Sequence, residues 1–235
     1  MVNDVRNRYF ASGNITVNKI GLIYNGAQAW CTEVTNYMKD LYSALGIQTT
    51  DYSQNGKTFT YGSKTYTEYK QGDYSDGKVM YNATGSLGTI KQNGCLPTSI
   101  AVIATGYGKT SSNGQLYTPE TIITEGIQPA ISNYSNAKNA FSRLGLKLGT
   151  QKKTATSANQ EDMMSNLLAG NPILVHASSG YYTGGGHYMV LLGAKQDNGI
   201  QSVYLSNVGS KSKTGWVELT TLINRNVDWY AVVTQ

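Results

Sequence analysis

The chain is 235 residues long, 40% apolar and only 14% charged, with 18 tyrosines among abundant Gly, Ser, Thr and Asn. That is enough to bury one sizeable core, and it has too little charge and too many aromatics for a disordered chain. The net charge of +5 is spread over scattered Lys and Arg without a basic block or stripe, so nucleic acid is not an expected partner.

No window approaches the roughly 18 consecutive apolar residues of a membrane span, and "MVNDVRNRYFASGN" lacks the basic-then-apolar order of a signal peptide. The chain as given is therefore expected to be soluble. Its low charge and its Tyr, Asn, Ser and Thr content suit an extracellular or virion-borne protein. A mild positive charge would hold such a protein near an anionic surface such as a bacterial wall. Two cysteines, Cys31 and Cys95, and two histidines, His176 and His187, form no metal-ligand spacing, so neither a metal nor another cofactor is expected.

In chain order, residues 15 to 24 read as a short strand pair or an extended run closed by Asn25-Gly26. From Ala27 to Leu45 apolar residues recur at three- and four-residue steps, which predicts an amphipathic helix ending at Gly46. Cys31 falls on its apolar face, as a packed core thiol. Residues 1 to 60 thus form an amino-terminal extension with one helix, ahead of a domain over 61 to 235. "KTFTYGSKTYTEY" alternates about Gly62-Ser63 and predicts a hairpin. The Gly-, Asp-, Asn- and Ser-rich stretch from 72 to 94 has no period and is read as a long ordered loop or a set of short turns.

Three helices are predicted further on, in "TPETIITEGI", "SNAKNAFSRLG" and "SANQEDMMSNLLAG", the last with Ser157 and Gln160 as a capping box. Beyond Gly170 the character changes. "PILVHAS", "HYMVLLGAK", "IQSVYLSN", "GWVEL" and "DWYAVV" are short β-rich runs between turn residues, with "TTLINR" as a helical turn. This is the pattern of an antiparallel sheet, so the fold class is α+β.

Between the loop and those helices lies "KQNGCLPTSIAVIATGYG", residues 91 to 108. Pro97 suits a first helical turn, and residues 100 to 104 are apolar on every side, which marks a central helix. Its start carries unpaired N–H groups and the positive end of the helix dipole, so the ionised form of the Cys95 thiol is favoured there. Gly94 leaves room for a substrate to approach. From this stretch alone, a nucleophile and an ordinary packed cysteine fit equally well.

A thiol nucleophile needs a base, and His187 enters a strand directly after three glycines in "TGGGHYMVLLG", where backbone runs close to a ligand. His176, at the end of an apolar strand, reads as a core or rim residue. In the next strand, Asn207 of "SVYLSNVGSKS" stands where it could accept from the far nitrogen of His187.

Cysteine, then histidine on a strand, then Asn or Asp on the following strand is the order of papain-like cysteine peptidases. "GCLPTSIAVI", "GGHYMVLLG" and "LSNVGS" resemble the branch of bacteriocin-leader-processing (double-glycine) peptidases, over about residues 66 to 233. Leu96 replaces a glycine common after the nucleophile, and Asn207-Val208 stands where Asp-Pro is frequent.

The resemblance implies a papain-like fold, with a buried helix carrying the cysteine packed on the carboxy-terminal sheet, and a catalytic Cys95, His187 and Asn207. It also implies an oxyanion-supporting Gln upstream: Gln71 in "YKQGDY" is favoured, and Gln92 is the alternative. A peptide or protein substrate, including the peptides of peptidoglycan, is the expected partner. A wall amidase or acyltransferase with the same triad, and a non-catalytic binding module on this fold, are the competing readings. Both cysteines are expected to be free thiols.

Overall fold

The computed structural model describes residues 56–74, 81, 86–128 and 130–235. The chain divides into two compact units, Met1–Asp51 and Tyr52–Gln235. The first lies outside the described residues, and with it the strand pair or extended run expected over 15 to 24, the amphipathic helix expected over 27 to 45 and Cys31.

Strands β1 (Gly56–Tyr61) and β2 (Lys64–Tyr69) form the expected hairpin. Gly62 turns it at φ +58°, a left-handed conformation that glycine adopts without strain. A 3-10 turn, Gln71–Asp73, follows. The aperiodic stretch, read as a long loop or a set of short turns, contains a one-turn helix, α1 (Ile90–Asn93), opened by a capping box in which Thr89 and Gln92 satisfy each other's backbone N–H groups. Its four residues are too short a pattern for hydrophobic periodicity to detect.

Helix α2 (Cys95–Gly106) is the central element, with residues 95 to 105 all buried. Helix α3 (Pro119–Thr124) has Thr118 as its cap and proline in the first turn. Helix α4 (Tyr134–Arg143) starts from Asn133. Two-residue strands β3 (Lys147–Leu148) and β4 (Lys152–Lys153) precede α5 (Ser157–Leu168). The α5 cap is Thr156, accepting from the N–H of Asn159, and not the expected Ser157 with Gln160. Ser157 already has helical geometry, so its hydroxyl cannot fill the cap position.

Strands β5 (Ile173–Ala177), β6 (His187–Asp197), β7 (Ile200–Ser206) and β8 (Gly215–Glu218), the helical turn α6 (Leu219–Asn224) and β9 (Val227–Thr234) complete the domain. The sheet order is β3-β9-β5-β6-β7-β8, with β4 also on β9 and every pairing antiparallel.

Both faces of this sheet are covered. Leu174, Tyr188, Val190, Leu192, Ala231 and Val233 pack with Ile100 and Val102 of α2. Ile173, Met189, Leu191 and Tyr230 pack on the other side with Met163 and Leu167 of α5 and Leu222 of α6. That explains why the first eight residues of β6 are buried without alternation. The hairpin closes over α2: the Tyr66 ring occupies the space a Cβ on Gly106 would need, and the Thr67 N–H donates to Thr105 Oγ1 at 2.8 Å. The α+β class and the cysteine helix packed on the carboxy-terminal sheet are as the sequence implies.

Candidate active site

The geometry begins at the junction of α1 and α2. Gly94 ends one helix and precedes the other, donating to the Ile90 carbonyl at 2.8 Å while its own carbonyl accepts from the Thr98 hydroxyl at 2.6 Å. A Cβ there would collide with the backbone of Ile90. The glycine is therefore required by the close join of two helices.

The join places Cys95 as the first residue of α2, a free thiol only 9% exposed. Burial pushes this thiol above its usual range. The N–H groups of Tyr188, Leu96 and Cys95 itself, and the Ser132 side chain, act in the opposite direction. The expected help from the helix start is present, but desolvation outweighs it.

His187 is the first residue of β6, opposite Ala177, and 7% exposed. Its Nε2 lies 3.0 Å from Oδ1 of Asn207, which is fully buried in the turn after β7. The Gly209 N–H donates to the same Oδ1 at 2.9 Å. Because that backbone donor identifies the atom as the amide oxygen, Nε2 must carry the proton in the bond from His187. In a neutral ring, Nδ1 is then the basic nitrogen. Burial lowers the His187 pKa, Asn207 opposes this, and His176 lowers it further. Gly209 has a steric role too, since a Cβ there would press on the His187 ring.

Gln71, Gln92, Cys95 and His187 all line one cleft of about 500 Å³, together with Tyr81, Ser132, Thr183 and Gly186. The two glutamines are held differently. Gln71 is fixed through its backbone, its N–H donating to the Val208 carbonyl at 2.8 Å, and its Nε2 donates to the Lys91 carbonyl at 2.9 Å. Gln92 is exposed, and its Oε1 accepts from the N–H and hydroxyl of Thr89.

His176 stands apart. Its Nδ1 lies 2.8 Å from Asp228 Oδ1, its ring stacks on Trp229 at 5.5 Å, and it is not among the residues lining the cleft. Of the three glycines before His187, Gly184 and Gly185 face open space, while a Cβ on Gly186 would meet His176. Gly186, the one of the three that lines the cleft, is thus the one packed closely, against the His176 ring.

Several neighbours escaped the sequence reading. Tyr81 and Ser132 share a hydroxyl–hydroxyl hydrogen bond of 2.8 Å beside Cys95. Both lie in stretches without periodicity, and no sequence signal would have singled them out. Leu96, the departure from the resembled motif, is fully buried in the core. Among the described residues no group of three or more His, Cys, Asp or Glu could hold a metal ion, and no helix is long and apolar enough to cross a membrane.

The family whose model matches the chain is the Peptidase_C39 like family, over residues 71–235. No curated protein matches. Among solved structures, the peptidase domain of Streptococcus ComA, a bi-functional ABC transporter involved in a quorum sensing pathway, is similar at 17% identity and a TM-score of 0.41. That likeness covers 61% of this chain and 92% of the ComA domain. UfSP from C. elegans is similar at 13% identity and a TM-score of 0.48, over 79% of this chain and 35% of UfSP.

Proposed function

The chain belongs to the Peptidase_C39 like family, and on that premise we propose that Cys95, His187 and Asn207 form the triad of a cysteine peptidase. The observation that carries the reading is the placement of Cys95 and His187 on one cleft, with Asn207 accepting from the Nε2 of His187. That arrangement leaves Nδ1 as the base.

Both members of the Cys–His pair are driven toward their neutral forms by burial, so proton transfer accompanies attack. Nδ1 of His187 takes the thiol proton as the sulfur bonds to the scissile carbonyl carbon. The carbonyl electron pair moves onto oxygen, where the Cys95 N–H and the amide of Gln71 donate to it. The imidazolium returns the proton to the leaving amine as the C–N bond breaks. Water then attacks the thioester, His187 accepting its proton and passing it to the departing sulfur. Gln71 is preferred over Gln92 because its segment is tied to the turn carrying Asn207, whereas Gln92 is engaged in capping α1.

The substrate in this reading is a peptide, cut in an extracellular or virion-borne setting. Wall peptides are one class, and peptides with a Gly-Gly segment, which the resembled branch processes, are another. A weakly charged composition rich in Tyr, Ser, Thr and Asn with a net charge of +5 supports the setting. The test is incubation with purified peptidoglycan and with Gly-Gly peptides, reading product masses against a Cys95→Ala control. New peptide termini that require Cys95 would support a peptidase. Release of a stem peptide from its sugar would mean a wall amidase, and a mass gain on an added amine would mean an acyltransferase. Wild-type Cys95 that labels no faster than free cysteine near neutral pH would mean a non-catalytic module.

A further inference from the structure

At the end of strand β2 and just beyond it lies a buried ion pair for which the catalytic steps have no use. Glu68 is 2% and Lys70 8% exposed, with Lys70 Nζ 3.6 Å from Glu68 Oε2. The carboxylate accepts from the Tyr204 hydroxyl at Oε1 and the Ser206 hydroxyl at Oε2, each at 2.8 Å. The ammonium donates to the backbone carbonyl of Asn207 and to Thr214 Oγ1, each at 2.9 Å. Thr214 Oγ1 in turn accepts from the Asn207 N–H at 3.1 Å. Next along the chain, the Gln71 N–H donates to the Val208 carbonyl at 2.8 Å.

Two consecutive residues, Lys70 and Gln71, thus grip two consecutive residues, Asn207 and Val208. On the surface, Lys211 pairs with Asp73 at 3.0 Å across the same junction. Burying a Lys and a Glu is costly, and packed apolar side chains of similar volume often serve a fold as well or better. What distinguishes this pair is where its bonds converge: on the backbone of the residue that orients His187, and on the segment bearing Gln71.

We infer that the buried Glu68–Lys70 pair is a positioning device for the active site, with Lys70 clamping the Asn207 turn so that its side chain meets His187 while Gln71 is held at the cleft. This rests on the peptidase reading above and adds to it residues that touch neither substrate nor reacting atoms. Glu68, itself held by the Tyr204 and Ser206 hydroxyls, anchors the ammonium, and Thr214 completes the grip on both backbone atoms of Asn207. Burial lowers the Lys70 pKa, and Glu68 opposes this most strongly. The carboxylate therefore helps to keep the clamp charged.

The test needs no known substrate. Iodoacetamide alkylation of Cys95 is followed across pH on the Cys95 peptide by mass, which separates it from Cys31. It is run on wild type, Lys70→Met, the paired Glu68→Gln/Lys70→Met variant, and Ile173→Val, a core control away from the site. Wild-type alkylation should rise at or below the ordinary imidazole range, about pH 6.5. In Lys70→Met it should slow near neutral pH by roughly 10- to 100-fold, part of what a well-placed acid–base group contributes, and rise only in the alkaline thiol range. The paired variant leaves no uncompensated buried charge, so it should recover melting temperature but not the rate. Ile173→Val should lose melting temperature and keep the wild-type profile.

A folded Lys70→Met or paired variant with the wild-type profile would overturn the positioning role. An ordinary thiol profile in the wild type itself would instead sink the peptidase reading, and the positioning role with it.

Discussion

Asn207→Ala offers the most direct measure of how the site works. The substitution removes one oxygen that accepts two hydrogen bonds, from His187 Nε2 at 3.0 Å and from the Gly209 N–H at 2.9 Å, in a fully buried position. At about 1 kcal/mol net per bond, roughly 2 kcal/mol of stability should be lost. For a domain of this size that is a fall in Tm of about 4–8 °C. The catalytic loss has a separate origin. The bond from an imidazolium N–H is charge-assisted and worth about 1.5–3 kcal/mol, so forfeiting it should lower turnover by roughly 10- to 150-fold. Without the Gly209-fixed oxygen, the neutral ring is also free to place its proton on Nδ1, the wrong nitrogen for a base. Asn207→Asp is the contrasting variant: its carboxylate accepts both bonds, so it should stay within about tenfold of wild type with its acidic limb moved to higher pH. The assays are thermal melting, kcat and KM on a cleaved peptide, and the pH profile of Cys95 alkylation. Folded Asn207→Ala with turnover within about twofold of wild type would refute the reasoning.

The two glutamines should separate cleanly. Gln71→Ala should lower kcat by roughly 10²–10³-fold while leaving Cys95 alkylation unchanged, whereas Gln92→Ala should spare turnover and cost about 0.5–2 kcal/mol in denaturant melts through loss of the α1 capping box. Stability should fall at both ends of the pH range. Because the His187 pKa is lowered by folding, its contribution is complete above the ordinary imidazole value of about 6.5 and is lost as pH falls through the folded value; His187→Gln should flatten that acidic limb of Tm against pH. Tyr66, Tyr188, Tyr204 and Tyr230 are raised by burial, and Tyr107 is pushed up to about 12. Their contribution is complete below about pH 10 and lost as pH rises toward the folded values, so tyrosinate absorbance from these rings should appear together with unfolding. Gly106→Ala should destabilise by about 1–3 kcal/mol, despite the better helix propensity of alanine, because its methyl group meets the buried Tyr66 ring; an unchanged melting temperature would contradict that packing.

Much of the framework was legible because it is written in local chemistry. Pro97 and the apolar run after it marked a buried helix, Thr118-Pro119 marked a helix start, and Gly62-Ser63 marked a hairpin; each signal acts within a few residues. The order of Cys95, His187 and Asn207, one residue on a helix start and the others at strand ends, was readable for the same reason. What a local reading missed were features too short or too distant for any period. The four residues of α1 fall within an aperiodic stretch, Thr156 and not Ser157 caps α5, and Gly94 is needed where two helices join.

By itself, then, the sequence determined the α+β class and the residue types available at each element's end. Propensity, capping and binary pattern are properties of neighbours along the chain. Only the tertiary structure decided which polar groups act together. Lys70 and Asn207 are 137 positions apart and Glu68 and Ser206 are 138 apart, yet their bonds meet inside one buried network. It likewise decided that His187 and not His176 faces the cleft, and that burial outweighs the helix start at Cys95. Desolvation and hydrogen-bond partnership depend on what folding brings from far along the chain, and a linear sequence carries no record of that proximity.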